Sequence, residues 1–580
     1  MRLFYLLYLF FCFHPLSAQL SVSPSGAGSS FLYVKDMALF VDKDIHLEKN
    51  PNPVTEASIY FRKEAQLIQG DKSSSLNSGN GIISIFQEGW ANAYNYNYWG
   101  LPVRDNSTGG KTVAGIIFEP IDKTESQPVK LTSALNGKAN PLSISKRWLY
   151  KFEGGQYADW EYIGDNFSLD PGLGFTMKGV NGNNPISVEG VPNNPGSRQR
   201  YDFRGMPNDG DISLNIEKDQ VLLLGNPYPS AFDLKAFLVQ NTASTGIAYF
   251  WDHSNHSHSH YLAEYQGGYG AYSPGASAYV PAVFQFYDES AEPTGNTGET
   301  GKIYGREFSP VGQGFMLMGK TNGQVSFKNS QRIFIREKSG NSEFRTPQEV
   351  IPNLRLNLRF DDLYVRQLLV AFRNDATTGI DHAMDAKSFG SLSTDAAWLI
   401  DEEPFVINVQ PFEAENLIPL MISAEASTDL RISIEIPENF SPEAIFLVDT
   451  EEESYHNLYK SDFETRLEAG NYEKRFYLTF AKETATEPDL PQEEEYDSEL
   501  PESIGIIYNK ALRKVEIIAG EMLEEIQVFD LTGGLIFNKK IYENKQYDYF
   551  YTGNFREAVY IVKVKTRDNR FTNKKLLLKK

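Results

Sequence analysis

Cysteine is all but missing from this sequence. Cys12 is the single example, so no disulfide framework and no cysteine-ligated metal centre forms within one chain. Histidine is scarce too, with eight in the chain, and basic residues are outnumbered: 55 Lys and Arg face 76 Asp and Glu, a net charge of −21. Attraction to phosphate dominates nucleic-acid and anionic-membrane binding, so this balance argues against both as partners of the whole protein. The one long apolar run, residues 3–13, is about half of the roughly 20 residues a membrane-spanning helix needs. Several motifs are also absent. The sequence has no G-x-S-x-G elbow and no H-E-x-x-H pair, and "STGGKT" lacks the first glycine of a phosphate-binding loop because Asp105 stands there. Paired glycosidase carboxylates need no sequence proximity, so that chemistry stays open.

What is present begins with an export signal. Arg2 precedes the apolar run, and Pro15 and the small pair Ser17-Ala18 follow it. This is the layout of a signal peptide over residues 1–18, cleaved between Ala18 and Gln19. Phe10 and Phe11 are too bulky for lipidation at Cys12. The exported chain then has no cysteine and no transmembrane segment. Aromatics make up 13% of the sequence, with 32 Tyr and 38 Phe, and such residues cover pleated surfaces well.

Apolar and polar residues alternate with period 2 from end to end, broken by Gly, Pro, Asn and Ser clusters, so the expected fold is all-β, with several β-sandwich or β-meander modules in tandem. We expect an N-terminal β-rich module over 19–205 and a second over 206–345. In the first, "MALFVDKDIHLE", "ASIYFRKEAQLIQG" and "GIISIFQEGW" recur at similar intervals. A meander is the favoured arrangement and a β-solenoid the alternative. "PGLGFTMKG" and "VGQGFMLMGK" share G-x-G-F-x-x-x-G, starting at Gly172 and Gly312, and each has a related "NYWGLPV" or "LLGNPYPSAFD" upstream. The second module therefore reads as a copy of the first, with glycines that permit a tight turn beside a buried Phe. Eight strand candidates from "LRLNLRF" to "KRFYLTF" suggest a sandwich over 346–482. An acidic linker with little apolar content follows over 483–503.

Residues 504–580 read as a compact β-unit. In "FDLTGG", Asp530 caps a hairpin turn, with Gly533 or Gly534 supplying positive φ. In "AVYIVKVK", Tyr560, Val562 and Val564 share one face while Lys563 and Lys565 share the other. The unit resembles the type A-like C-terminal sorting domain of the Bacteroidetes type IX secretion system. The resemblance is carried by "IQVFDLTGGLIF", "AVYIVKV" and the terminal "KKLLLKK"; Ala558 stands where that family usually has glycine. It implies an immunoglobulin-like sandwich with Asp530, Gly533, Tyr560, Val562, Lys574 and Lys575 in the sorting signal. The implied partners are the outer-membrane translocon and the C-terminal signal peptidase. After cleavage, cargo is released or attached to surface lipopolysaccharide, which places the protein at the cell surface or outside the cell.

Two stretches offer local chemistry. "WDHSNHSHSHY" contains half of the histidines. On a strand, His256, His258 and His260 would face one side and hold Zn²⁺ or Cu²⁺ weakly, whereas a solvated loop is the plainer reading. "AYNYNYWG" places Tyr94 and Tyr96 on one face and Trp99 on the other; aromatics and amides of this kind suit sugar stacking, and core packing is the favoured alternative. Asp375, Asp381 and Asp385 form a further acidic group that suits either Ca²⁺ or Asx-turn capping. No catalytic residue is marked and no cofactor is required. The expected function is a non-catalytic exported protein of structure, adhesion or assembly, and the alternative is a secreted glycan-binding or glycan-hydrolysing protein.

Overall fold

The computed structural model describes residues 20–481 and 504–578, apart from 91, 106–114, 165–168, 255–257, 290–292, 338–350, 362, 391, 510–513, 520, 531–533, 542–546, 552–554, 556–557 and 569. The signal segment, the acidic linker, His256 and Gly533 lie outside the described residues. The chain is all-β, and its α-helix among the described residues is Leu234–Gln240. Two compact units divide it, one ending near residue 482 and the other running on to the C-terminus.

The three early segments do not form the expected meander. They stack in parallel as coils of a solenoid, with Ala38 beside Gln66 and Ile59 beside Ile83. Neighbouring faces repeat the pattern, pairing Leu32 with Ile59 and Leu20 with Ile45. A meander needs a reversal between successive segments. Here each coil turns corners through further short strands, so the chain returns in its original direction. Asp36 and Lys63, both with positive φ, make matching corners in adjacent coils, and the inward Ile45, Leu47, Ile59, Phe61, Leu67 and Ile83 are fully buried.

The strand Gln199–Pro207 runs antiparallel to Ile83–Gly89, so the boundary expected at 205/206 falls inside one strand. Strands from both sides of it also share one eleven-stranded sheet. There the two sequence copies lie side by side. Tyr96–Gly100, Gly174–Lys178 and Tyr150–Gly154 are followed by Val221–Gly225, Gly314–Gly319 and Ser244–His253. Gly174 pairs with Gly100 in the first copy and Gly314 with Gly225 in the second. Each G-x-G-F glycine closes a turn: Leu173 N donates to Asp170 O and Gln313 N to Pro310 O. Gly172 (φ +94°) and Gly312 (φ +71°) stand at the third position, where a side chain is disfavoured. The adjoining Phe175 and Phe315 are fully buried.

The copies also cross. Gly100 N donates to Gly312 O at 2.8 Å and Gly225 N to Gly172 O at 2.9 Å, and the Gly100 and Gly225 backbones are in contact. The buried Asn208 amide joins the two, donating to Leu101 O at 2.8 Å and Pro227 O at 3.0 Å.

All eight strand candidates between 353 and 479 are strands of one further eleven-stranded sheet. Its core centres on the fully buried Trp398, whose indole donates to Leu369 O. This core continues into Tyr98, Phe152, Leu223, Tyr249 and Met316 of the duplicated sheet.

The C-terminal unit holds a three-stranded and a four-stranded sheet. They enclose Val515, Ile517, Ile526, Val528, Tyr560, Val562 and Val564, so the expected Tyr560 face points inward. Asp530 caps its turn, its carboxylate accepting from Gly534 N at 2.8 Å. Lys574 donates to Ile506 O, and Lys575 pairs with Ile561 across the strands.

The glycine crossing predicts a sharp sensitivity. A Cβ on Gly225 would lie 2.3 Å from Gly100 Cα, whereas one on Gly305 meets nothing within 4 Å. In urea denaturation Gly225→Ala should cost about 3 kcal/mol or more, because backbone on both sides blocks relaxation. Gly305→Ala should stay within about 0.5 kcal/mol of wild type.

Candidate functional site

The strand Gly174–Lys178 is buried along its whole length. Phe175 and Met177 enter the solenoid-side core, so alternation sends Thr176 and Lys178 to the other face. Lys178 pairs with Tyr96 of the neighbouring strand and its residue is only 3% exposed. Its Nζ sits over three rings, 3.8 Å from the Trp148 centroid, 4.7 Å from Tyr265 and 4.8 Å from Tyr96. Trp148 ends a 3-10 turn, Lys146–Trp148, and is anchored by its indole N–H donating to Leu135 O.

The fourth side of this cage is His260. Its ring stacks on Trp148 at 4.9 Å with an interplanar angle of 12° and lies 4.9 Å from Tyr94. Lys178 Nζ is 3.0 Å from His260 Nδ1, and His260 Nε2 is 2.5 Å from Asn136 Oδ1. Asn136 Oδ1 can only accept, which assigns the imidazole proton to Nε2 and leaves the Nδ1 lone pair to accept from the lysine. Among the described residues no carboxylate pairs with Lys178. With no carboxylate to counter it, burial brings the amine down to about 7. Burial, and then the charge of Lys178, bring His260 down to about 4.

Two separate sequence candidates converge here. Tyr94 from the aromatic row meets His260 from the histidine loop, Tyr96 reaches the same cage over Lys178, and His258 is set edge-on to Tyr94 at 6.1 Å. Trp99 does not join them; it packs in the core against Tyr201 and Phe203. Both ring nitrogens of His260 are engaged, and among the described residues no three His, Cys, Asp or Glu gather around a common point. In the acidic group, Asp375 pairs with Arg373, Asp381 accepts from the Thr377 backbone, and Asp385 accepts from Asp381 N and Val409 N. Asp381 and Asp385 thus cap the local turns while Asp375 is held in an ion pair, and burial pushes the Asp385 carboxyl up to about 7.

Sequence reasoning missed Lys178, Trp148, Tyr265 and Asn136. One signal was available: at the position that Lys178 holds in the first G-x-G-F copy, the second copy has Met318.

Residues 19–480 match a family described as a domain of unknown function, DUF8693. The chain belongs to this family. None of the curated proteins compared with the chain matches it. The DUF8693 region contains the solenoid, both copies and the caged lysine, and it ends before the C-terminal unit begins.

The caged amine gives stability a pH dependence of definite sign. The folded-state value of about 7 lies below the roughly 10.4 of an unfolded lysine. Between these limits the unfolded chain binds more protons, so stability rises with pH through that window. Relative to Lys178→Met, wild type should gain about 2 kcal/mol between pH 7 and 9, measured by denaturant unfolding at each pH. Parallel pH profiles for the two proteins would contradict the cage electrostatics.

Proposed function

We propose that this chain is an exported, non-catalytic β-rich protein of the cell surface that serves structure, adhesion or assembly. Its C-terminal unit is its type IX secretion signal. The observation that carries this reading is the separate closure of residues 504–578: seven strands in two sheets around a core of their own. A signal read by a translocon must be recognisable whatever cargo precedes it, and a self-contained terminal sandwich meets that need. The two-sheet arrangement supports the immunoglobulin-like expectation. The Asp530 cap and the inward Tyr560, Val562 and Val564 support the sequence resemblance. The acidic stretch 483–503, poor in apolar residues, suits cleavage by the signal peptidase, after which the DUF8693 region stays on surface lipopolysaccharide or is released.

One observation favours glycan binding as a second reading. Tyr94, Tyr96 and Trp148 are half-buried and cluster beside the Asn136 amide and His260, so aromatic faces and polar groups lie together as sugar recognition needs.

Deletion of residues 504–580 should leave the remaining chain folded but retained in the periplasm. Immunoblotting of cell fractions checks this, and unchanged surface display of the truncated protein would overturn the secretion reading. Mass spectrometry of the surface protein should find its new C-terminus between residues 481 and 503.

A further inference from the structure

The caged lysine is more than a packing solution. In the second copy Met318 occupies the matching place in the strand Gly314–Gly319, so this backbone arrangement does not require an amine. The first copy nevertheless places one there, with no described carboxylate to pair it. An imidazole stands at 3.0 Å with its lone pair toward the amine, and that imidazole is in turn held by Asn136 at 2.5 Å. Nucleophile, base and orienting group in this order are the arrangement by which proteins activate a weak nucleophile.

We propose that Lys178, His260 and Asn136 form a carbonyl-capture site, in which the Lys178 amine makes a reversible imine with an aldehyde-bearing ligand packed against Tyr96, Trp148 and Tyr265. The Nζ lone pair attacks the carbonyl carbon, forming the C–N bond while the carbonyl π pair moves to oxygen. A proton leaves nitrogen for His260 Nδ1 and passes to that oxygen, giving a carbinolamine. The remaining N–H proton then passes through the same imidazole to the hydroxyl, which departs as water as the nitrogen lone pair closes the C=N bond, yielding the neutral imine. One amine and one aldehyde give one imine and one water, with no change of oxidation state. Lys178 is the nucleophile, His260 carries the proton, and Asn136 is a positioning residue that fixes the His260 tautomer. The amine is in contact with Tyr96, Trp148 and His260, which are themselves only half-buried. The neighbouring Tyr261 is 77% exposed. Aromatic walls favour a ligand with a C–H face, as an open-chain sugar aldehyde has. The proposal goes beyond the export reading and does not depend on it: capture is assayed on purified protein, and its failure leaves the sorting role untouched.

The test is reductive trapping on the full chain. Glycolaldehyde and sodium cyanoborohydride at pH 7 convert each imine to a stable secondary amine, and peptide mass spectrometry measures the rate at every lysine. Lys178 should be labelled at least tenfold faster than Lys218, whose side chain is 69% exposed. From pH 8 to 9 labelling of Lys178 should level off while that of Lys218 keeps rising. His260→Ala should slow labelling of Lys178 at least fivefold and leave Lys218 unchanged, with an unaltered urea unfolding midpoint reporting an intact fold. Asn136→Ala should move the pH profile of Lys178 labelling, which a merely structural role would not do. Labelling of wild-type Lys178 no faster than Lys218 would overturn the proposal, and an unchanged rate in His260→Ala would remove the imidazole from it.

Discussion

Two glycines touching through their backbones set the geometry of the large unit. Gly100 and Gly225 end equivalent strands of the duplicated motif, and each donates its N–H to the turn glycine of the other copy, at 2.8 and 2.9 Å. No side chain fits between them, because a Cβ on either would fall inside the other's backbone. The crossing ties the edge of one copy to the turn of the next, and the Asn208 amide fastens both segments just beyond it. It also fixes the register of the strand Gly174–Lys178 from its first residue. Four residues later, alternation delivers Lys178 to the face opposite the buried Phe175 and Met177.

Duplication followed by divergence explains how a β-body acquires a chemically distinct point. Equivalent positions on equivalent strands carry Met318 in one copy and Lys178 in the other. Two effects oppose each other at Lys178. The three rings favour the ammonium by about 0.5 to 2 kcal/mol for each well-placed contact, whereas stripping water from a cation costs several kcal/mol. His260 offers an acceptor without negative charge, so it satisfies one N–H without reversing that balance. Burial brings the amine down to about 7. The buried Arg366 meets the opposite outcome: Asp395 grips it through two contacts of 2.7 Å, and that pairing keeps it charged despite burial.

Much of the strand content was legible because period-2 alternation reports a half-buried strand directly. Eight of the eleven strands between 353 and 479, the Asp530 cap and the inward face of Tyr560, Val562 and Val564 all follow from local pattern. Alternation does not report strand direction, however. The solenoid coils and a meander present the same sequence texture, and only the corner residues such as Asp36 and Lys63 distinguish them. The expected boundary at 205/206 falls within the strand Gln199–Pro207, which pairs with Ile83–Gly89 as far as Gly205 and with Val103–Arg104 beyond it. The cage was illegible for a different reason. Residues 136, 148, 178, 260 and 265 belong to separate loops and strands, and nothing in one dimension brings them together. The aromatic row and the histidine loop are each visible in the sequence alone, but their meeting at a lysine is a property of the folded sheet and its loops.

The charge state of Lys178 tests this account most directly. In protein carrying ¹³C at lysine Cε, the resonances followed from pH 5 to 11 should include one that titrates near pH 7 and is missing from Lys178→Met. If every lysine resonance instead titrates above pH 10, the rings hold the cation, burial does not prevail, and the cage is a packing device.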